Sequence, residues 1–246
     1  MLFFSLAMNM LPESLIPTND AGRVRSLHHY QILNTTPEPI FDEYVALAAQ
    51  MFNLPISLIS LVDEHEVFFK ANEGLPGLEP VPRPDSLCSA AILQSKVLTF
   101  TDLNTEACSL VNPYVAQSAG LRFYAGAALH MPDGSNIGSL CVIGREPRPI
   151  EPQEEEMLSM LAELVSLTIE LRYAYLSRDR AYEWQAAQRE LEEILHDHTA
   201  LARYLTTRAI TPAATARDLN TVARRLAELR EIITGHLAEL AETPAQ

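Results

Sequence analysis

The 246-residue sequence predicts an α+β fold: one antiparallel sheet flanked by helices, followed by a long helix and an α-helical hairpin. Three observations carry this. The apolar segments 121–130 and 137–144 flank Met131, Pro132, Asp133, Gly134, Ser135 and Asn136, a turn in which proline presets φ and glycine supplies φ > 0. The run 54–62 is almost wholly apolar, as a central strand covered on both faces must be. From residue 151 onward, apolar residues recur at spacings of three and four, the period of a helix.

In chain order, residues 1–19 are expected to be a disordered extension, upstream of a start at Met8 or Met10. The apolar beginning has no basic segment, and Asn9, Pro12 and Glu13 interrupt it well short of a bilayer span. Asn19 or Asp20 caps a helix through Leu33, because their short side chains accept the orphan N–H bonds of a first turn. A second helix near 41–53 presents Phe41, Val45, Ala48, Ala49 and Phe52 on one face, and Pro55 ends it and opens the first strand. Residues 63–66 make a hairpin turn. Gly74, Pro76, Gly77, Pro80, Pro82 and Pro84 make 74–85 a loop. A short helix over 86–94, a strand over 97–100 and a polar helical turn over 104–118 lead to the hairpin.

Glu151, Glu154, Glu155 and Glu156 place negative charge at a helix start, where the dipole favours it. The following helix carries Leu161, Leu164, Thr168, Leu171 and Tyr175 in a coiled-coil-like stripe. The pattern fades over 177–189 and returns at Leu191, Ile194, His198, Leu201 and Leu205. After a break at Thr211 and Pro212, it resumes at Leu219, Val222, Leu226, Leu229, Ile233 and Leu240. One hairpin has too little core to stand alone, so a second copy is expected to complete a four-helix bundle and the chain to be a homodimer. The expected organisation is an extension over 1–19, a domain over 20–172 and a dimerising helical region over 173–246.

A net charge of -14 excludes nucleic acid and anionic membrane surfaces as expected partners, since both are bound chiefly through Lys and Arg. Cys88, Cys108 and Cys141 form no CxxC pair, and an odd count without an export signal reads as reduced thiols in the cytoplasm. No metal and no cofactor are expected.

The ordered blocks resemble those of bacterial GAF domains. The segment Leu121, Arg122, Phe123, Tyr124, Ala125, Gly126 and the return Gly138, Ser139, Leu140, Cys141, Val142, Ile143 are similar to that family's RFYAG…LG(T/S)LCVI hairpin. Ile32, Leu33, Asn34, Thr35, Thr36, Pro37 and Glu38, then Phe41 and Asp42, resemble its ILDTxPE…FD entry turn. Leu58 to Asp63 with Phe68, Phe69 and Lys70, Pro82 and Arg83, Ser86 to Cys88, Asp102, and Asn112 with Pro113 complete the set, over roughly residues 20–172. The resemblance implies a cytoplasmic sensory or regulatory module without catalysis of its own. It would bind a small molecule or a signalling partner and transmit the signal through the C-terminal helices.

It also implies a ligand site of Cys88, Asp102, Asn112, Arg122, Tyr124, Gly126 and Cys141. Gly126, Gly138 and Ser139 are expected to open space on the sheet. Arg122 and Asp102 would offer opposite charges at the rim. Phe123 and Tyr124 alternate in direction, so one of them faces the site. Cys88 and Cys141 read as buried small hydrophobes with no basic neighbour in sequence to activate them. The alternative is a redox enzyme of the free-methionine-sulfoxide-reductase type using one of these thiols. The chain departs from the family where Ser86, Leu87, Cys88, Ser89 and Ala90 replace SFCAH, and where Glu106 to Leu110 replace a DxRF-like run, which removes a ring, an imidazole and a guanidinium. The cyclic-nucleotide NKxnF…DE signature and the bilin-cysteine contexts are absent. His196, followed by Asp197 and lying off the tail stripe, suggests a phosphotransfer-like, two-component-like hairpin. Ala200 and Leu201, however, stand where Thr/Asn-Pro follows in such helices.

Overall fold

The computed structural model describes residues 12–106, 111, 112, 116, 118–208 and 212–242. The first eleven residues, Cys108, Pro113 and the break at Thr211 lie outside the described residues. Within the expected extension, Glu13–Leu15 forms a 3-10 turn whose Leu15 is fully buried. The Leu15 carbonyl accepts from Arg83 Nη2 at 2.8 Å, so ordered structure begins before residue 19.

Helix α1, Asp20–His29, is capped by the Asn19 side chain, which accepts from the Gly22 N–H at 3.2 Å. It ends short of Leu33 because Gln31 turns to φ 49 and Asn34 to φ 54, left-handed conformations that no helix continues through. Helix α2, Pro39–Phe52, begins with proline in its first turn and closes on left-handed Asn53.

The sheet comprises β1 (Ile56–Val62), β2 (Glu66–Glu73), β3 (Val81–Pro82), β4 (Leu98–Phe100), β5 (Phe123–His130) and β6 (Asn136–Gly144), in the order β3-β2-β1-β6-β5-β4. Every pairing is antiparallel. β1 is central and buried along its whole length, which is why its sequence lacks alternation. The 74–85 loop contains β3 and a 3-10 turn at Arg83–Asp85. The expected 86–94 helix shortens to α3, Cys88–Ala91.

The sheet separates two apolar layers. Phe123, Ala125, Leu140 and Val142 face α2 and the long helix α4, Pro152–Leu176. Tyr124, Cys141 and Ile143 face the opposite way, against Leu87, Cys88 and Ile92. Tyr124 thus lies on the α3 side of the sheet and Phe123 on the α4 side. α4 starts in a capping box, with the Glu151 N–H donating to Glu154 Oε2 at 3.0 Å.

After a turn at Asp179, with φ 56, come α5 (Ala181–Arg208) and α6 (Pro212–Glu242). α5 packs along α2 and α6 along α4. Leu191, Leu195, Leu226, Leu229 and Ile233 are at most 1% exposed within this single chain. Within the single chain the domain's own helices thus cover Leu191 of the α5 stripe and Leu226, Leu229 and Ile233 of the α6 stripe, while Ile194, Leu201 and Leu205 of α5 stay half-buried. Among the described residues no helix is long and apolar enough to cross a membrane.

Candidate functional site

Four of the predicted site residues converge under α3. Cys88, in the first turn of α3, and Cys141, mid-β6, place their sulfurs 4.0 Å apart, both buried and free. The Tyr124 hydroxyl donates to Cys88 Sγ at 3.8 Å. Ser60 on β1 and Ser139 on β6 bring their hydroxyl oxygens to 2.9 Å of each other beneath the thiols. Hydrogen bonding from Cys141, against the cost of burial and with help from Ser60, Ser139 and Ser86, lowers the Cys88 thiol pKa below its ordinary value. The same contact, together with burial, pushes Cys141 well above it. Burial also raises the Tyr124 phenol. The two sulfurs behave as one site that gives up its first proton readily and its second with difficulty. Sequence neighbours gave little sign of this, because the activating groups are Cys141 and serine hydroxyls, most of them on β1 and β6, rather than an adjacent Lys or Arg.

Gly126 lies here too, but it opens no space. A Cβ there would collide with the Tyr124 hydroxyl, whose ring leans over it from two residues back on the same strand face. Gly138 likewise admits the backbone of β1, since its Cβ would collide with the Ser60 carbonyl. The expectation of a floor opened by these glycines is corrected: both positions are occupied.

At the rim, Arg122 grips Asp102 with two bonds of 2.7 Å, from Nε to Oδ1 and from Nη2 to Oδ2. Arg122, the largest cause, and the Asn104 N–H bring the Asp102 carboxyl down to about 2. Asn112 donates from Nδ2 to Asp85 Oδ1 at 3.0 Å. These groups tie the loops to β5.

On the opposite face, Glu38 collects donors from three elements. Lys70 on β2 lies 2.8 Å from Oε1, Arg172 on α4 reaches both oxygens at 2.8 and 3.0 Å, and the Trp184 indole N–H on α5 reaches Oε2 at 3.3 Å. Lys70 is 5% exposed, and burial lowers its pKa although Glu38 opposes the shift.

Open volume adjoins this face. A cleft of about 720 Å3 runs between the 93–97 segment, the β5–β6 turn and α4. Leu93, Val97, Ala127 and Leu167 give it apolar walls, and Lys96, His130 and Glu170 give it polar edges. Asn136 Nδ2 donates to the Ile92 carbonyl at 2.8 Å, which leaves Oδ1 to accept from His130 Nδ1 at 2.7 Å and makes Nε2 the acceptor nitrogen of the ring. Burial raises the Glu170 carboxyl. Sequence reading missed this cleft, because its residues come from three distant segments and share no motif. The only available signal was the polar run Ser159, Glu163, Ser166 and Glu170 along an otherwise apolar α4.

In the tail, His196 is exposed and lies 3.6 Å from Glu43 of α2. His198 is buried between α5 and α6, with its Nδ1 unpartnered among the described residues, and burial lowers its pKa.

A family model described as GAF domain matches residues 36–169. A Pseudomonas aeruginosa protein named as a cyclic di-GMP phosphodiesterase is 38% identical over 154 residues, which are 62% of this chain and 26% of that protein. The chain therefore spans about a quarter of the length of this curated relative. The match corrects the expectation of a chain without catalysis, since the relative is named as an enzyme. Similar solved structures include the GAF domain of an Acinetobacter phosphoenolpyruvate-protein phosphotransferase, 17% identical at TM-score 0.47, covering 64% of this chain and 96% of that one. Another is the blue-light absorbing form of the Thermosynechococcus elongatus PixJ GAF-domain, 20% identical at TM-score 0.46, covering 58% and 89%.

Proposed function

The chain belongs to the GAF-domain family, and on that premise we propose that it is a cytoplasmic sensory module whose bound small molecule acts on α4 and, through it, on the tail helices. The supporting observation is the Glu38 carboxylate, which joins β2, α4 and α5 in one buried cluster. A molecule in the cleft beside α4 would touch the helix that carries Arg172. Any change in the position of Arg172 alters a charge-assisted bond to Glu38 and hence the seat of Trp184. Tail docking on α2 and α4 is then the two-state element that the ligand biases.

The cleft is the favoured ligand volume because its polar groups are available, whereas those of the α3 side already bind one another. Its size lies within the range of about 300–1,000 Å3 usual for small-molecule sites. The second reading places the ligand on the α3 side, as the family resemblance implies, where it would have to break into the Arg122–Asp102 pair. Similarity to the P. aeruginosa phosphodiesterase suggests that the output governs cyclic di-GMP turnover. The homodimer expected from the tail belongs to the same reading, with Ile194, Leu201 and Leu205 of α5 only half-buried in the single chain and open to a second copy.

Native mass spectrometry of protein purified from its own host tests the reading. A retained small molecule that is lost in Leu167→Trp and kept in Arg122→Ala supports the cleft. Loss in Arg122→Ala with retention in Leu167→Trp moves the site to the α3 side. Absence of any retained mass in the wild-type chain, with no tail response to host metabolite extract, overturns the ligand reading.

A further inference from the structure

We infer that Cys88 and Cys141 are a dithiol modification site, closing to an intramolecular disulfide when the protein meets a hydroperoxide. Their sulfurs stand 4.0 Å apart, about 2 Å beyond an S–S bond. The two thiols come from different kinds of element. Cys141 is fixed by β6, which pairs with β1 and β5 on either side. Cys88 sits on a helix of four residues that follows the proline-containing 3-10 turn Arg83–Asp85. The side able to give is thus the α3 side.

The surroundings supply the asymmetry such a reaction needs. Cys88 Sγ lies beside Cys141 and accepts from the Tyr124 hydroxyl, and with the Ser60, Ser139 and Ser86 hydroxyls near it this setting favours sulfur that has lost its proton. Cys141 has Cys88 as its sulfur neighbour and keeps its proton. In the first step the Cys88 thiolate attacks the distal oxygen of the hydroperoxide. An S–O bond forms, the O–O bond breaks, and the departing alkoxide takes a proton to leave as the alcohol, or as water from hydrogen peroxide. In the second step Cys141 sulfur attacks Cys88 sulfur. The S–S bond forms, the S–O bond breaks, and hydroxide leaves as water with the Cys141 proton. Two thiols and one hydroperoxide thus give one disulfide, one alcohol and one water, with the sulfur pair losing two electrons to the peroxide.

The link would fasten α3 to the middle strand of the sheet, on the face opposite the cleft. It does not depend on a ligand being bound.

The test uses the full chain, reduced and then exposed to hydrogen peroxide, denatured with N-ethylmaleimide, and digested without reductant. The expected product is one cross-linked pair of peptides carrying Cys88 and Cys141, lighter by two hydrogens than the separate peptides and restored by dithiothreitol. In Cys141→Ser the reaction should stop at a Cys88 sulfenic acid that dimedone traps. The wild-type map needs no variant, so it decides the matter even if Cys141→Ser folds poorly. Full maleimide labelling of both cysteines after peroxide treatment overturns the proposal. So does a wild-type product in which Cys88 goes on to sulfinic acid unlinked, or one in which the link runs to Cys108.

Discussion

The Trp184 indole N–H and the Glu38 carboxylate, 146 residues apart in sequence, meet at 3.3 Å where α5 crosses the start of α2. Glu38 is thereby shared between the domain and the tail. Truncating it leaves Lys70 buried without its counter-charge, and breaking one side of such a pair costs about 3–5 kcal/mol. Glu38→Ala is expected to lower the urea midpoint by that order. Trp184→Phe removes only the indole donor at the shared oxygen, a loss of about 1 kcal/mol plus packing. Urea unfolding followed by intrinsic fluorescence and far-ultraviolet dichroism measures the Glu38 loss, and dichroism measures the Trp184 one.

Cys88 is expected to ionise below the ordinary thiol value, because Cys141 and three serine hydroxyls favour its thiolate. Thiolate absorbance followed against pH in Cys108→Ser should rise first, for a single sulfur, below the free-thiol value, with a second step above it. Cys141→Ala, which removes the donor, should move the first step upward. Two coincident steps near the free-thiol value of about 8.5 would contradict the hydrogen-bonding account.

The Arg122–Asp102 pair gives a stability difference of known sign. Its folded carboxyl is lowered to about 2. Its contribution is complete above the unfolded value of about 3.9 and is lost as pH falls through the folded one. Asp102→Asn is expected to melt below wild type at neutral pH, and the gap should close towards pH 2. Thermal melts across that range check it.

Gly126→Leu is expected to destabilise the domain by about 1–3 kcal/mol, since the added side chain must displace the Tyr124 ring rather than fill a void. Chemical denaturation alongside Tyr124→Phe/Gly126→Ala separates the collision from the lost hydroxyl. A Gly126→Leu chain as stable as wild type would show that space exists there.

Leu229 on α6 is fully buried, and Leu229→Ala is expected to cost about 2–5 kcal/mol. Because its cover is intramolecular, the loss should not depend on protein concentration. Sedimentation equilibrium beside the melts would reveal a second copy if midpoints rise with concentration.

The fold was legible because its signals are local or periodic: the unbroken apolar run of β1, the Pro132 to Gly134 turn, and the leucine spacing of α4 to α6. The ends of elements were less so. α1 stops early because Gln31 and Asn34 go left-handed, and side chains of this type give only a weak signal of that. The candidate site was legible as a set of residues but not as an arrangement. Tyr124, Cys88, Cys141 and Gly126 do gather, yet glycine at 126 reflects close approach of Tyr124 rather than room for a ligand. A small residue in a strand fits either case. The tail stripe predicted burial but not its partner. Whether α2 and α4 or a second chain covers Leu226 and Leu229 depends on how the chain turns at residues 177–180, where the helical pattern fades.

The coupling of sheet to tail through Glu38 is tested most directly by hydrogen exchange on the full chain, comparing wild type with Glu38→Gln, which keeps the shape and removes the charge. The account predicts that exchange rises together in β2, in the last turns of α4 and across α5 and α6, because one carboxylate holds β2, α4 and α5 and α6 packs on the latter two. A rise confined to the residues around position 38, with α5 and α6 as protected as in wild type, would contradict it.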